Sequence, residues 1–131
     1  PGKDPGLGLL RIDTLMTADK SLTEVQATHA ASGTGFHGYE IHIGRSDGLD
    51  RARPFAIVEG QPEGAISADG RVMGSYLHGM FRDDAFRAAW LADFGVEATQ
   101  AYDAGVEDAL DALADPLETH LDVAGILAAA R

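Results

Sequence analysis

The sequence predicts an α/β domain in which a strand-rich first part is followed by a helical part. Its 131 residues, 45% of them hydrophobic, suffice for one hydrophobic core. Glycine and β-branched residues are frequent up to residue 82, whereas Ala, Leu and Asp dominate afterwards. The apolar residues also change from alternation to a helical repeat at Asp83. We therefore assign residues 5–81 to the strand-rich part and 83–131 to the helical part.

Six segments of the first part have the composition of strands. They are residues 9–14, 23–29, 35–44, 55–59, 65–67 and 72–77. Asp69 and Gly70 stand between the last two segments, and Asp-Gly is a strong signal for a tight hairpin turn. These two segments are therefore predicted to pair.

The third segment predicts a strand with one apolar face, which includes Tyr39, and one polar face, which includes Glu40 and His42. Two imidazoles and a carboxylate can bind zinc, so His37 also merits attention. His37 is an odd number of residues from His42 and points to the opposite face. Glu40 and His42 alone are one ligand short of a usual zinc site, and we expect a polar pair rather than a metal site.

The helical part begins at Asp83, a residue suited to cap a helix. Phe86, Trp90 and Phe94 recur every four residues and form one apolar stripe, which predicts that this helix packs on the sheet. Gly95 is placed to end it.

Two further helices are predicted. One covers residues 104–113, and the other begins where Asp115 would cap it and Pro116 would take the first helical position. The buried side of the last helix would carry Leu117, Leu121 and Leu127.

Charge and composition exclude several functions. Asp and Glu outnumber Lys and Arg by 21 to 10, so the net charge of −11 disfavours nucleic acid and anionic membranes as partners. The sequence holds no cysteine, which excludes disulfides, cysteine-ligated metals and a cysteine nucleophile carried by this chain. It begins at Pro1 without a Met or a signal segment, and we expect an excised piece of a longer protein.

His78 is the best-placed candidate for chemistry. It ends a predicted strand and is followed by Gly79 and a helix start, a location where open α/β sheets gather their active sites. The alternative is a histidine that only bonds a neighbouring carbonyl group. His29 and His120 have no such surroundings in sequence and are expected on the surface or in packing.

Four ordered segments carry a resemblance to a known family: Gly6-Leu-Gly-Leu-Leu10, Gly38-Tyr-Glu-Ile-His-Ile-Gly44, Asp69-Gly-Arg-Val-Met-Gly-Ser-Tyr-Leu-His-Gly-Met-Phe81 and Ala88-Ala-Trp-Leu91. Together they closely resemble the C-terminal end of the cobyric acid synthase family. The resemblance implies part of a class I glutamine amidotransferase domain with a flavodoxin-like, three-layer fold. In that family the domain is fused to an ATP-dependent synthetase that amidates carboxylates of the corrin ring in cobalamin biosynthesis.

The resemblance also implies roles for residues. A cysteine thiolate attacks glutamine, and the histidine that shuttles the proton matches His78. The nucleophile-bearing half of the domain would lie upstream of this chain, which alone should be inactive. Many class I amidotransferases place a glutamate two residues after this histidine, where this chain has Met80. The third triad member stays open. Glu40 is a candidate to orient His78 or to bond loop backbone, and Tyr39 is a second candidate supporting residue.

The resemblance implies no cofactor and no metal in this chain, and assigns ATP and magnesium to the missing synthetase domain. The implied partners are the synthetase and the nucleophile-bearing segments, with glutamine and a corrinoid as substrates, in the cytoplasm. A homo-oligomer through an exposed sheet edge is also plausible. Two alternatives stay open: an amidotransferase subunit that acts on a cell-wall lipid intermediate, and a non-catalytic module whose acidic helices 104–131 dock on a basic surface.

Overall fold

A computed structural model describes residues 2 and 4–130, so that Pro1, where the sequence begins, lies outside the described residues. The chain divides into two compact units, one up to Ala98 and one from Thr99. Strands occupy the first unit and are followed by helices, which confirms the α/β class and the predicted order of its parts.

A long hairpin forms the centre of the first unit. Strand β1 (Asp13–His29) pairs antiparallel with β2 (Gly35–Asp47) around a turn in which Gly33 has the left-handed φ of 71°. Strands β3 (Ala56–Val58), β4 (Gln61–Glu63) and β7 (Leu77–His78) complete a five-stranded sheet in the order β4-β3-β1-β2-β7. Every strand pairing in the described part of the chain is antiparallel.

The separate strands predicted at 9–14 and 23–29 are wrong. One strand, β1, contains all of the second segment and the last two residues of the first, because β2 is long enough to pair along most of its length, with a register shift between Met16 and Ser21. Residues 9–12 lie outside the strand. The prediction for 35–44 is confirmed, although β2 extends further to Asp47.

The hairpin predicted around Asp69 and Gly70 is confirmed by β5 (Ala65–Ile66) and β6 (Met73–Gly74), which form a small second sheet. The single strand predicted at 72–77 is wrong. It is divided into β6 and β7, because the chain leaves the hairpin after Gly74 and then pairs with β2.

Helix α1 (Asp84–Ala92) packs on one face of the large sheet, here called the inner face, which carries Phe36 and Leu77. The Asp83 carboxylate accepts a hydrogen bond from the Phe86 backbone N–H at 3.0 Å, which confirms the predicted cap. Phe86 is fully buried and its ring centroid lies 4.6 Å from that of Phe36. Aromatic packing therefore fixes the helix on the sheet.

The rest of the predicted stripe is only partly buried. Trp90 packs against the core, its ring centroid 5.8 Å from that of Phe86. Phe94 lies beyond the helix and is 67% exposed. Gly95 follows with a φ of 71°, in agreement with its predicted place at the helix end.

Asp50 joins the chain before β1 to a short 3-10 helix (Leu49–Ala52). Its buried carboxylate accepts hydrogen bonds from the Arg11 backbone N–H at 2.8 Å, from the Arg11 side chain at 3.2 Å and from Arg53. These bonds, led by the Arg11 backbone N–H, lower the pKa of Asp50 below its ordinary value.

His29 belongs to the core rather than to the surface. Only 3% of it is exposed, and its ring centroid lies 5.2 Å from that of Phe55 and 5.6 Å from that of Trp90. Its Nδ1 atom is hydrogen-bonded to Ser32 Oγ at 2.9 Å. Burial lowers the pKa of His29, and the charge of Asp93 offsets this shift in part.

The depressed pKa of His29 predicts a pH-dependent stability. The unfolded chain binds a proton near pH 6.5 whereas the folded chain resists it, so the free energy of unfolding should fall as pH decreases from about 7 to 5.5. The pH dependence of urea unfolding, followed by Trp90 fluorescence, should flatten in His29→Gln. The control is His37→Gln, since His37 is an exposed histidine on β2. The pH dependence should persist in this variant. An unchanged slope in His29→Gln would contradict the assignment.

The second unit contains α2 (Tyr102–His120) and α3 (Val123–Ala129). The boundary predicted at Asp115 is wrong, because α2 continues through Pro116. Proline lacks the N–H that would bond within the helix. The hydrogen bond from Leu121 N–H to the Leu117 carbonyl nevertheless closes the turn that follows Pro116. Helix α3 instead begins after Asp122, whose carboxylate accepts from Gly125 N–H at 2.9 Å.

The predicted buried side of the last helix is also wrong. Leu117, Leu121 and Leu127 are 44%, 50% and 62% exposed, and no described residue of α2 or α3 is buried. The spacing of the leucines correctly indicated an apolar side of the helix, but spacing alone does not show whether another element packs against that side. Among the described helices, none is both long enough and apolar enough to cross a membrane.

Candidate active site

His78 lies at the edge of the sheet, opposite Tyr39. Strand β7 pairs with β2 so that His78 opposes Tyr39 and Leu77 opposes Glu40. Directly opposed residues share a face of the sheet, and Leu77 is buried on the inner face. His78 and Tyr39 therefore lie on the other face, here called the open face, where both are exposed.

The backbone around His78 depends on two glycines. An added Cβ at Gly38 would lie 2.7 Å from the His78 carbonyl oxygen, so only glycine permits this close approach of β7. Gly79 follows in the left-handed conformation with a φ of 77° and turns the chain into a 3-10 helix (Met80–Arg82). A Cβ at Gly79 would lie 3.6 Å from the Tyr39 ring, which places this ring beside the turn.

Glu40 does not face His78. It lies on the inner face, where its Oε1 atom is 3.4 Å from His42 Nε2. The His42 ring is held by a 2.7 Å hydrogen bond between Nδ1 and the Gly44 carbonyl oxygen, and it stacks on Tyr76 at 4.5 Å. The hypothesis that Glu40 orients His78 therefore needs correction, since alternation along β2 puts the two side chains on opposite faces.

The predicted polar pair of Glu40 and His42 is confirmed by this contact. His37 is exposed on the open face, as parity predicts. Within the residues that the structure describes, no group of three or more His, Cys, Asp or Glu side chains is arranged to hold a metal ion.

Sequence reasoning missed Glu63 and Ser75, which lie behind the site. Glu63 is only 6% exposed although it is charged, and it contacts the segment that leads into His78. The signal that could have identified Glu63 is an acidic residue directly before Gly64, a glycine that forms a bend with a φ of 74°.

The open face carries apolar side chains around the site. Leu22, Tyr39 and Ile43 are 62%, 44% and 45% exposed. An exposed imidazole beside such a surface can exchange a proton with a group that another segment brings to this face. The sequence holds no cysteine, so this chain itself provides no thiol at the site.

Comparison with known proteins identifies the domain. Residues 1–86 match the family model described as the CobB/CobQ-like glutamine amidotransferase domain. The chain belongs to this family. The match covers the first three of the four motif segments and confirms the resemblance there, and it confirms the amidotransferase fold class.

Several relatives of this CobB/CobQ-like chain are cobyric acid synthases. A protein from Rhodobacter capsulatus is 70% identical over 99% of the chain, and this match covers 27% of that protein. The Jannaschia and Bradyrhizobium diazoefficiens proteins are 68% and 58% identical, over 96% and 99% of the chain and 26% and 27% of their own lengths. The chain thus spans about a quarter of the length of these relatives. No solved structure matches it.

Proposed function

We propose that residues 1–131 are the C-terminal portion of the glutamine amidotransferase domain of a cobyric acid synthase, with His78 as the proton shuttle. The observation that carries this proposal is the exposure of His78 on the open face, at the end of β7 and opposite Tyr39. The strand-rich part covers residues 5–81 and the helical part 83–131.

The chemistry assigned to the intact domain is transfer of ammonia from glutamine. A cysteine thiolate attacks the side-chain amide carbon of glutamine, and backbone N–H groups stabilise the resulting oxyanion. The C–N bond then breaks as His78, protonated, gives its proton to the departing nitrogen, which leaves as ammonia. Water, deprotonated by His78, hydrolyses the glutamyl thioester to glutamate and returns the thiol to the enzyme.

The geometry supports this role in two ways. The His78 backbone is held against β2 by strand pairing and by the close approach at Gly38, so its position on the open face is fixed. Its exposed ring also leaves room for a thiol and a glutamine amide, which must both lie within hydrogen-bonding distance of it.

The remaining substrates are assigned to other parts of the parent protein. ATP and magnesium would be bound by the synthetase domain, which would pass the ammonia to corrin carboxylates in the cytoplasm. The relatives' shared name favours a corrinoid over a cell-wall lipid intermediate as the acceptor. High identity along 99% of the chain likewise favours an enzyme domain over an acidic docking module.

Ammonia release from glutamine tests the proposal. The intact parent protein should release ammonia with saturable dependence on glutamine, and the 131-residue chain should release none above the uncatalysed rate, because covalent catalysis requires the missing thiol. An intact protein without glutaminase activity would overturn the proposed function. Saturable release by the purified chain would overturn the claim that the nucleophile lies outside it.

A further inference from the structure

We propose that Glu63 is a positioning residue for His78, acting through Ser75 and Tyr76. The proposal rests on the proposed function, since it explains what holds the proton shuttle in place. Glu63 has no direct contact with the reacting groups and is not a catalytic residue.

The segment that leads into His78 must cross between two sheets. Gly74 is the last residue of β6 in the small sheet, and Leu77 is the first residue of β7 in the large one. Ser75 and Tyr76 alone span this gap, so their backbone N–H groups fall outside both ladders. Such groups need other acceptors when they are shielded from water.

Glu63 supplies the acceptor for the Tyr76 N–H and also binds the Ser75 hydroxyl. Its Oε1 atom accepts a hydrogen bond from the Tyr76 backbone N–H at 2.8 Å, and its Oε2 atom accepts one from the Ser75 hydroxyl at 2.7 Å. Ser75 Oγ accepts in turn from the Leu77 backbone N–H at 3.0 Å. We call these three hydrogen bonds the Glu63 clasp.

Burial makes the clasp strong. Glu63 is 6% exposed, and a carboxylate in such a place must be satisfied by donors, because an unpaired buried charge is costly. The adjoining Gly64 brings β4 close to the crossing segment, since a Cβ there would lie 2.6 Å from the Gly74 carbonyl oxygen. The two segments therefore cannot shift independently.

Tyr76 is also held from the side of β2. Its carbonyl oxygen accepts from Ile41 N–H at 3.0 Å, and its hydroxyl is hydrogen-bonded to Ser46 Oγ at 2.6 Å. Tyr76 thus lies between the Glu63 carboxylate and β2, two residues before His78. A displacement of Tyr76 would be passed to His78 through the single intervening residue, Leu77.

Hydrogen exchange of the 131-residue chain tests the clasp itself. In Ser75→Ala the Leu77 amide should exchange about tenfold faster, and in Glu63→Ala, which leaves no side-chain acceptor, the Tyr76 amide should exchange faster to a similar degree. Ser67→Ala is the matched control, because Ser67 Oγ accepts from Val72 N–H at 3.0 Å in the neighbouring hairpin. In this variant the Val72 amide should exchange faster, and the exchange rate of the Leu77 amide should stay unchanged.

Activity of the intact parent protein tests the positioning role. Glu63→Ala and Ser75→Ala should lower glutamine-dependent kcat about 10- to 100-fold, because a displacement of about 1 Å can cost that much. KM for glutamine and the ammonia-dependent rate should stay within about twofold of the parent values. Ser75→Thr keeps the hydroxyl and should retain most of the glutamine-dependent kcat that Ser75→Ala loses.

Two controls separate positioning from general stability. Asp50→Asn removes another buried carboxylate, and Ser67→Ala removes another hydroxyl that holds a backbone amide. Both should leave the ratio of glutamine-dependent to ammonia-dependent activity unchanged.

The outcomes distinguish this inference from the proposed function. If His78→Ala separates the two activities but the clasp variants change their ratio no more than the controls do, the positioning role is wrong and the proposed function stands. Equal loss of both activities in the clasp variants would also overturn the positioning role. If His78→Ala itself fails to separate the activities, the proposed function is wrong and the positioning role falls with it.

Discussion

Replacement of His78 by alanine in the intact parent protein should lower glutamine-dependent amidation by about 10²- to 10⁴-fold, the usual contribution of a general acid and base. Amidation from added ammonia should stay within about twofold of the parent rate, since free ammonia bypasses proton transfer at the glutamine site. Steady-state rates with each nitrogen source measure the two effects separately.

His37→Ala is the matched control for this experiment. His37 is an exposed histidine on the same open face, two residues before Tyr39 on β2, and no proposed step uses it. It should leave both activities near their parent values. If His78→Ala lowered both activities together, or if His37→Ala reproduced the loss of glutamine use, the proton-shuttle role of His78 would be wrong.

Local signals predicted the local parts of the fold. The cap at Asp83 and the hairpin around Asp69 and Gly70 depend on residues close in sequence, and the structure contains both. Alternation along residues 35–44 likewise predicted that Glu40 and His42 share a face. Such features follow from backbone geometry alone.

Local sequence patterns did not predict which strands pair with one another. Strand β1 runs unbroken to His29 because a long partner strand supports it, and β6 is separated from β7 because each pairs with a different strand. Helix α2 continues through Pro116 although the local Asp-Pro signal favours a helix start. For the strands, pairing with distant partners overrode the local preference.

The same limit applies to the site. His78 stood out because its motif is local, whereas the contacts of Glu63 join residues 12 and 13 positions apart. The hydrogen bond from Arg11 N–H to the Asp50 carboxylate joins residues 39 positions apart and likewise could not be predicted from sequence. The structural role of such a buried carboxylate depends on hydrogen-bond donors that are distant in sequence, so it cannot be predicted from the neighbouring residues.

The two faces of the sheet explain how a small core coexists with an exposed site. Aromatic rings cover the inner face, and they include Phe36 and Phe86. The open face keeps Leu22, Tyr39 and Ile43 exposed beside His78. Stability therefore depends on one face and the proposed chemistry on the other, so that substitutions in the core and at the site should have separable effects.

Phe86→Ala should cost about 3–5 kcal/mol of unfolding free energy, because it empties the centre of the aromatic cluster. Phe86 is 0% exposed, and its ring centroid lies within 5.8 Å of those of Phe36 and Trp90. A small domain is stabilised by only about 5–15 kcal/mol, so this single change should bring the first unit near the limit of folding. Trp90 is the only tryptophan in the chain, and its fluorescence during urea unfolding reports on this cluster.

Phe94→Ala provides the matched control for Phe86→Ala. Both residues belong to the same sequence stripe, but Phe94 is 67% exposed, and its ring centroid lies 6.1 Å from that of Trp90. Its replacement should change the unfolding free energy by no more than about 0.5 kcal/mol. Equal losses in the two variants would show that burial does not distinguish them, and would contradict the packing of α1 on the inner face.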